Sequence, residues 1–116
     1  MDFRARLIKA LGLVLMLTLV STAFAQLTLE QQAARDKGLE LYQQHMGVSA
    51  IEPLRIAAEA GDKTAQYYLG ETLRLNNMFM TAEARKWYEA AAEQGDLFSM
   101  LRLSNGSDLC KELGIL

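Results

Sequence analysis

Glu71 and Arg74 stand one helical turn apart in "LGETLRL", His45 stands alone in "QQHMG", and Cys110 stands alone in "SDLCK". These are the side chains whose chemistry would matter most in a catalyst. One histidine with no thiol or second histidine beside it does not make a zinc site. One cysteine allows no intramolecular disulfide, which leaves Cys110 a satellite core position or a thiol that pairs with another chain. His45 reads as a helix-end residue. Glu71 and Arg74 at i,i+3 read as a helix-face ion pair worth a few tenths of a kcal/mol. Catalysis needs a nucleophile or a poised acid–base pair in a cleft. The sequence has no His/Ser/Asp set, no metal-ligand spacing and no phosphate-cradling glycine loop. It therefore predicts no enzyme, no metal, no cofactor and no small-molecule substrate.

The elements that carry these residues begin after a different kind of segment. "MDFRARLIK" places Arg4, Arg6 and Lys9 ahead of an apolar run from Ala10 to Val20, and "STAFAQ" follows. A basic start, a short apolar stretch and an A-x-A site formed by Ala23 and Ala25 describe a secretory signal peptide, with cleavage between Ala25 and Gln26. The rival reading is a membrane anchor, but a span needs roughly 20 predominantly apolar residues. The run here has eleven before Ser21 and Thr22 interrupt it. The expected product is periplasmic or secreted and meets a membrane only during export. Residues 26–116 would then form one 91-residue domain with nine basic and thirteen acidic side chains, a formal charge of −4. That mildly acidic balance, without a basic cluster, excludes nucleic acid as the expected partner.

Within that domain the chain nearly repeats itself. "AAEAGD" (Ala57 to Asp62) returns as "AAEQGD" (Ala91 to Asp96) at an offset of 34. Ala50 and Ala84 recur at the same spacing, as do Leu69 and Leu103, while "KGLELY" (Lys37 to Tyr42) resembles "LGETLR" (Leu69 to Arg74) at an offset of 32. A fixed period of this length suits a helix–turn–helix repeat. Helices are expected near 28–45, 49–60, 62–75, 81–94, 96–104 and 107–113, making an all-α stack of two hairpins plus the start of a third. Thr28 with Gln31, and Ser49 with Glu52, fit the capping box. Gly47, Gly61, Gly95 and Gly106 fall at the breaks, where a left-handed residue ends a helix without strain. Pro53 falls in an expected first turn, where it is tolerated. Asp62 and Asp96 are the expected caps of the helices that follow. Ala57, Ala58, Ala91 and Ala92 let neighbouring helices approach closely. Ala65, Leu69 and Leu73 form a buried stripe, with Gly70 where a partner helix crosses. Trp87 should pack between hairpins. In "NNMFM", Met78, Phe79 and Met80 either make an apolar contact site or fold over the end of their hairpin.

The stretches "AQYYLGETL" (Ala65 to Leu73) and "EARKWYEAAAEQGD" (Glu83 to Asp96) resemble the Sel-one-like repeat family, a relative of the tetratricopeptide repeats. The likeness lies in the Leu69–Gly70 pair, Ala84, the Trp87–Tyr88 pair and the alanine run closed by Gly95–Asp96. It is strong from Ala57 to Leu103 and weaker from Gln31 to Leu54. Two departures stand out: a short apolar "NNMFM" (Asn76 to Met80) where that family has a glycine-rich loop, and a single cysteine where some members have many. The resemblance implies an α–α superhelix that acts as an adaptor or scaffold, binding a protein or peptide on its concave face. It maps the groove onto Thr64, Tyr67, Glu71, Arg74 and Leu75, with Arg35 and Tyr42 on the same surface. A small inhibitor or immunity-like protein of a specific enzyme is the alternative function.

Overall fold

A computed structural model of the chain describes residues 2–9, 26–104 and Gly114. The apolar run 10–20, the Ala23/Ala25 site, Gly106, Cys110 and the helix expected at 107–113 lie outside these residues. Residues 2–9 are helical (α1). Five helices then follow in order: α2 (Leu29–Gln43), α3 (Gly47–Glu59), α4 (Lys63–Asn77), α5 (Ala82–Glu93) and α6 (Leu97–Leu103). No strand occurs among the described residues. No helix there is long and apolar enough to cross a membrane.

Four of these helices begin on a side chain that accepts from an otherwise unpaired backbone N–H. Thr28 and Gln31 close a capping box, Thr28 Oγ1 accepting from the Gln31 N–H at 3.2 Å and Gln31 Oε1 from the Thr28 N–H at 2.9 Å. Asp62 accepts from Ala65 N–H at 2.8 Å, Thr81 from Ala84 N–H at 3.0 Å and Asp96 from Ser99 N–H at 2.7 Å. Gly61 and Gly95 take φ of +93° and +87°, the left-handed conformation that a Cβ would strain.

α3 departs from expectation. It starts at Gly47 on a Met46 N-cap that offers no side-chain bond, so Ser49 and Glu52 form no capping box. The left-handed residue at this turn is His45 (φ 60°), not Gly47. That turn ends α2 at Gln43 and re-aims the chain early, so that α3 begins ahead of Ser49. A Cβ at Gly47 would lie 2.8 Å from Asn76 Oδ1, the tip of an exposed side chain that can swing away, so the turn does not demand glycine there. Pro53 consequently lies inside α3 rather than in its first turn, and the Ser49 carbonyl loses its usual i+4 donor. In the second hairpin Met78 plays the part of His45, with φ 64°. Of the apolar loop residues only Met80 packs on the core, while Met78 and Phe79 remain exposed.

From α2 onwards each helix packs mainly on its neighbour in sequence, and α2 also touches α4. The core joins Ala50, Leu54, Ala57 and Ala58 of α3 to Ala65, Leu69 and Leu73 of α4 and to Ala84, Trp87 and Tyr88 of α5. The two hairpins share one joint. A Cβ on Gly38 would sit 2.6 Å from Leu54 Cγ and 3.0 Å from the Leu54 backbone nitrogen; one on Gly70 would sit 3.1 Å from the Tyr88 ring. The sequence repeat relates these pairs, because Gly38 and Gly70 stand at an offset of 32, and Leu54 and Tyr88 at an offset of 34. In both hairpins the absent side chain on the first helix is filled by a large one from the second. Such interdigitation at van der Waals contact is what gives cores their density.

Where α6 meets α5, Ser99 occupies the place that Ala65 holds one repeat earlier. It is fully buried, and its hydroxyl has no hydrogen-bond partner among the described residues. Ser99→Ala should raise stability by about 1 kcal/mol, because an unpaired buried hydroxyl is removed and alanine favours helix. Thermal melting checks this; an unchanged or lower midpoint would mean that the hydroxyl is satisfied in solution.

Candidate binding face

The spacing that makes the joint also makes the most polar spot in the core. The Tyr88 ring packs closely on Gly70, and its hydroxyl reaches Glu71, the next residue of α4. Tyr88 donates to Glu71 Oε1 at 2.5 Å. Arg102, reaching from α6, donates through Nε to the same oxygen at 2.5 Å and through Nη2 to Oε2 at 3.2 Å. Arg74 donates through Nη2 to Glu71 Oε2 and through Nε to the Tyr88 oxygen, both at 3.2 Å. One carboxylate thus ties α4, α5 and α6 together. Glu71 is 3% exposed, so the expected helix-face i,i+3 pair with Arg74 exists but belongs to a cluster around a buried carboxylate, whose Arg74 and Arg102 partners still reach water.

Burial raises the free energy of the Glu71 carboxylate, yet the bonds from Tyr88, Arg102 and Arg74 outweigh that and hold its pKa below the ordinary value. For Tyr88, burial first and donation to Glu71 second push the phenol above its usual range. Burial likewise raises Tyr67 and Tyr42, with the Glu71 charge adding to it.

Around this cluster an aromatic row crosses the face that α2, α4 and α6 share. Ring centroids lie 4.9 Å apart for Tyr42–Tyr68, 5.0 Å for Tyr67–Tyr68, 6.1 Å for Tyr67–Tyr88 and 5.8 Å for Tyr67–Phe98. The first three pairs are edge-to-face, the favourable arrangement for ring quadrupoles. A cleft of about 360 Å³ opens between α4 and α6, lined by Thr64, Tyr67, Tyr68, Asp96 and Phe98. A second of similar size lies at the other end of α4, lined in part by Tyr42, His45, Thr72 and Leu75.

The residues mapped to a groove are therefore divided. Thr64 and Tyr67 line the first cleft, Tyr42 and Leu75 the second, and Glu71 and Arg74 lie in the cluster between them. Arg35 stands apart, paired with Asp36 at 3.1 Å and with Asp62 at 3.5 Å. Tyr68, Phe98 and Arg102 are not among the residues that the sequence places here. The repeat contains the signal for two of them, since an offset of 34 carries Thr64 to Phe98 and Tyr68 to Arg102. The motif residues Ala57, Ala58, Ala65, Leu69, Ala84, Trp87, Tyr88 and Ala91 are buried, whereas Ala92 is only half-buried. Gln94, beside the turn at Gly95, ties it to the turn at Gly61, donating to the Gly61 carbonyl at 3.0 Å and to Gln66 Oε1 at 2.8 Å.

Compared with known proteins, the chain matches no family model, no curated protein and no solved structure.

Proposed function

We propose that this chain is an exported helical-repeat adaptor, akin to the Sel-one-like repeats, that binds a protein or peptide segment on the face shared by α2, α4 and α6. The resemblance makes that face the concave one. The observation that carries the reading is the Tyr67–Phe98 cleft. Phe98 leaves 64% of its surface to solvent beside a half-buried Tyr67, in a site built on helices rather than on a loop. Tyrosine anchors on a rigid surface suit protein recognition, since burying a ring with two χ angles brings much contact area for little lost entropy. The reading is one of binding mode.

Site-specific photo-crosslinking tests it. A benzophenone side chain at position 67 or 98 of the full chain, in cells that express it, should give a discrete adduct of higher mass. The same group at Glu89, exposed on α5, should not. Adducts absent at both inner positions, or equal at all three, would remove the proposal.

A further inference from the structure

The two edges of the stack differ in chemistry. One edge bears the turns at Gly61 and Gly95 and carries Glu59, Asp62, Lys63, Glu93 and Asp96. The other bears the turns inside the hairpins, after α2 and after α4. From Leu41 to Ile51 and from Leu75 to Ala82 it contains no Asp, Glu, Lys or Arg. The two uncharged turns are neighbours, because Gly47 at the start of α3 approaches Asn76 near the end of α4. Between them they expose Met46, Val48 (76%), Leu75, Met78 (89%) and Phe79 (63%). Such side chains are ordinary when scattered, but here five fall on two adjacent turns and the helix ends that flank them.

We propose that this uncharged edge is a self-association surface on which two copies of the chain pair about a two-fold axis. Two features select a second copy as the occupant. The five residues expose on the order of 600 Å² in all, backbone included, at the upper end of a typical monomer's largest apolar patch and below the ~800 Å² each partner gives a standard interface, which suits a weak dimer. A two-fold contact also places a patch against itself, which a charged edge resists and an uncharged one permits. The acidic turns at Asp62 and Asp96 lie at the far edge, so the net negative charge of two copies is held apart. This inference shares Leu75 with the second cleft but makes no use of the Tyr67–Phe98 cleft that carries the binding reading, so the two are tested separately.

Sedimentation velocity on the full chain, purified as the expressing cells process it, is the test. A monomer–dimer equilibrium is expected over micromolar to hundreds of micromolar concentration. Met78→Asp with Phe79→Asp should weaken it at least tenfold while leaving the helical circular dichroism and the cooperative melt unchanged. Val48→Asp is the second variant: it puts a carboxylate in the first turn of α3, where the helix dipole favours it, so folding is protected while the edge gains charge. A monomer at every concentration would overturn the proposal. So would a dimer that both variants leave intact, or a monomer that floats with phosphatidylcholine vesicles.

Discussion

Glu71→Leu is expected to destabilise the domain by about 2–3 kcal/mol at pH 7, the loss falling on the contact of α6 with α4 and α5. Removing one member of a fully buried ion pair costs about 3–5 kcal/mol, because the other charge is left without a partner. Arg74 and Arg102 retain access to water, so the lower figure applies. The effect should depend on pH in a defined direction. A carboxyl whose folded pKa is depressed contributes its stability above the unfolded value, about 4.3 for glutamate, and loses it as pH falls through the folded value. The native chain should therefore weaken from about pH 5 downwards, and Glu71→Leu should show a flatter profile there. Some slope will remain from Glu83, also depressed by its bond to Arg55, though that pair is more exposed. Urea unfolding followed by circular dichroism at pH 7 and pH 4 measures both quantities. A variant within about 0.5 kcal/mol of the native chain at pH 7 would show that the cluster contributes no more than a surface pair does.

The same joint predicts its own remedy. Where the second hairpin has Glu71 and Tyr88, the first has Leu39 and Leu54 at the corresponding places, and both leucines pack in the core. Glu71→Leu with Tyr88→Leu rebuilds the second joint in the chemistry of the first. The double variant should be about 1 kcal/mol or more above the stability that the sum of its single changes allows, as expected for residues in direct contact. Strict additivity would mean that Glu71 and Tyr88 act independently.

Gly38→Leu and Gly70→Leu should each abolish cooperative unfolding. Alanine at either site gains about 1 kcal/mol of helix propensity against an overpacking cost of about 1–3 kcal/mol. The geometry orders the two. At Gly38 the new Cβ would meet the branch point of Leu54 and its backbone nitrogen at or under 3.0 Å, neither of which can swing aside. At Gly70 it would meet the ring of Tyr88 at 3.1 Å, where a shift of a few tenths of an ångström suffices. Gly38→Ala should therefore lose about 2 kcal/mol and Gly70→Ala close to none. Leucine cannot be accommodated at either place without parting the helices, and a domain of this size has little stability to spare. Thermal melts of the four variants suffice; a cooperative transition in either leucine variant would refute the close packing at that joint.

Legibility in the sequence followed the range of the interactions. Thr28, Asp62 and Asp96 act within one turn of chain, and the capping roles assigned to them hold. Gly61 and Gly95 are readable for the same reason. Ser49 and Glu52 satisfy the same local rule and still do not cap, because His45 in a left-handed conformation starts α3 earlier. No local pattern marks a histidine for that conformation. The buried stripe of Ala65, Leu69 and Leu73 follows from helical periodicity. Glu71 does not, because a carboxylate next to that stripe is ordinarily solvated. Its burial is made tolerable largely by partners far along the chain, Tyr88 and Arg102, 17 and 31 residues away. The repeat offset points to Phe98 and Arg102 once it is applied to the aromatic face as well as to the alanine joints. Leu97, Phe98 and Leu101 keep α6 apolar on its exposed side, a feature that the family-like motif does not contain.

The register of the two hairpins is the claim on which the remaining assignments depend, and proton–proton contacts read it directly. In a nuclear Overhauser spectrum of the isotope-labelled chain, the Gly38 Hα protons should show contacts to the Leu54 methyl groups. The Gly70 Hα protons should show contacts to the Tyr88 ring and be shifted by its ring current. Both sets present together would establish two equivalent joints one repeat apart. A Tyr88 ring with solvent-like shifts and no contact to Gly70 would contradict the stacked arrangement, and the proposed binding face with it.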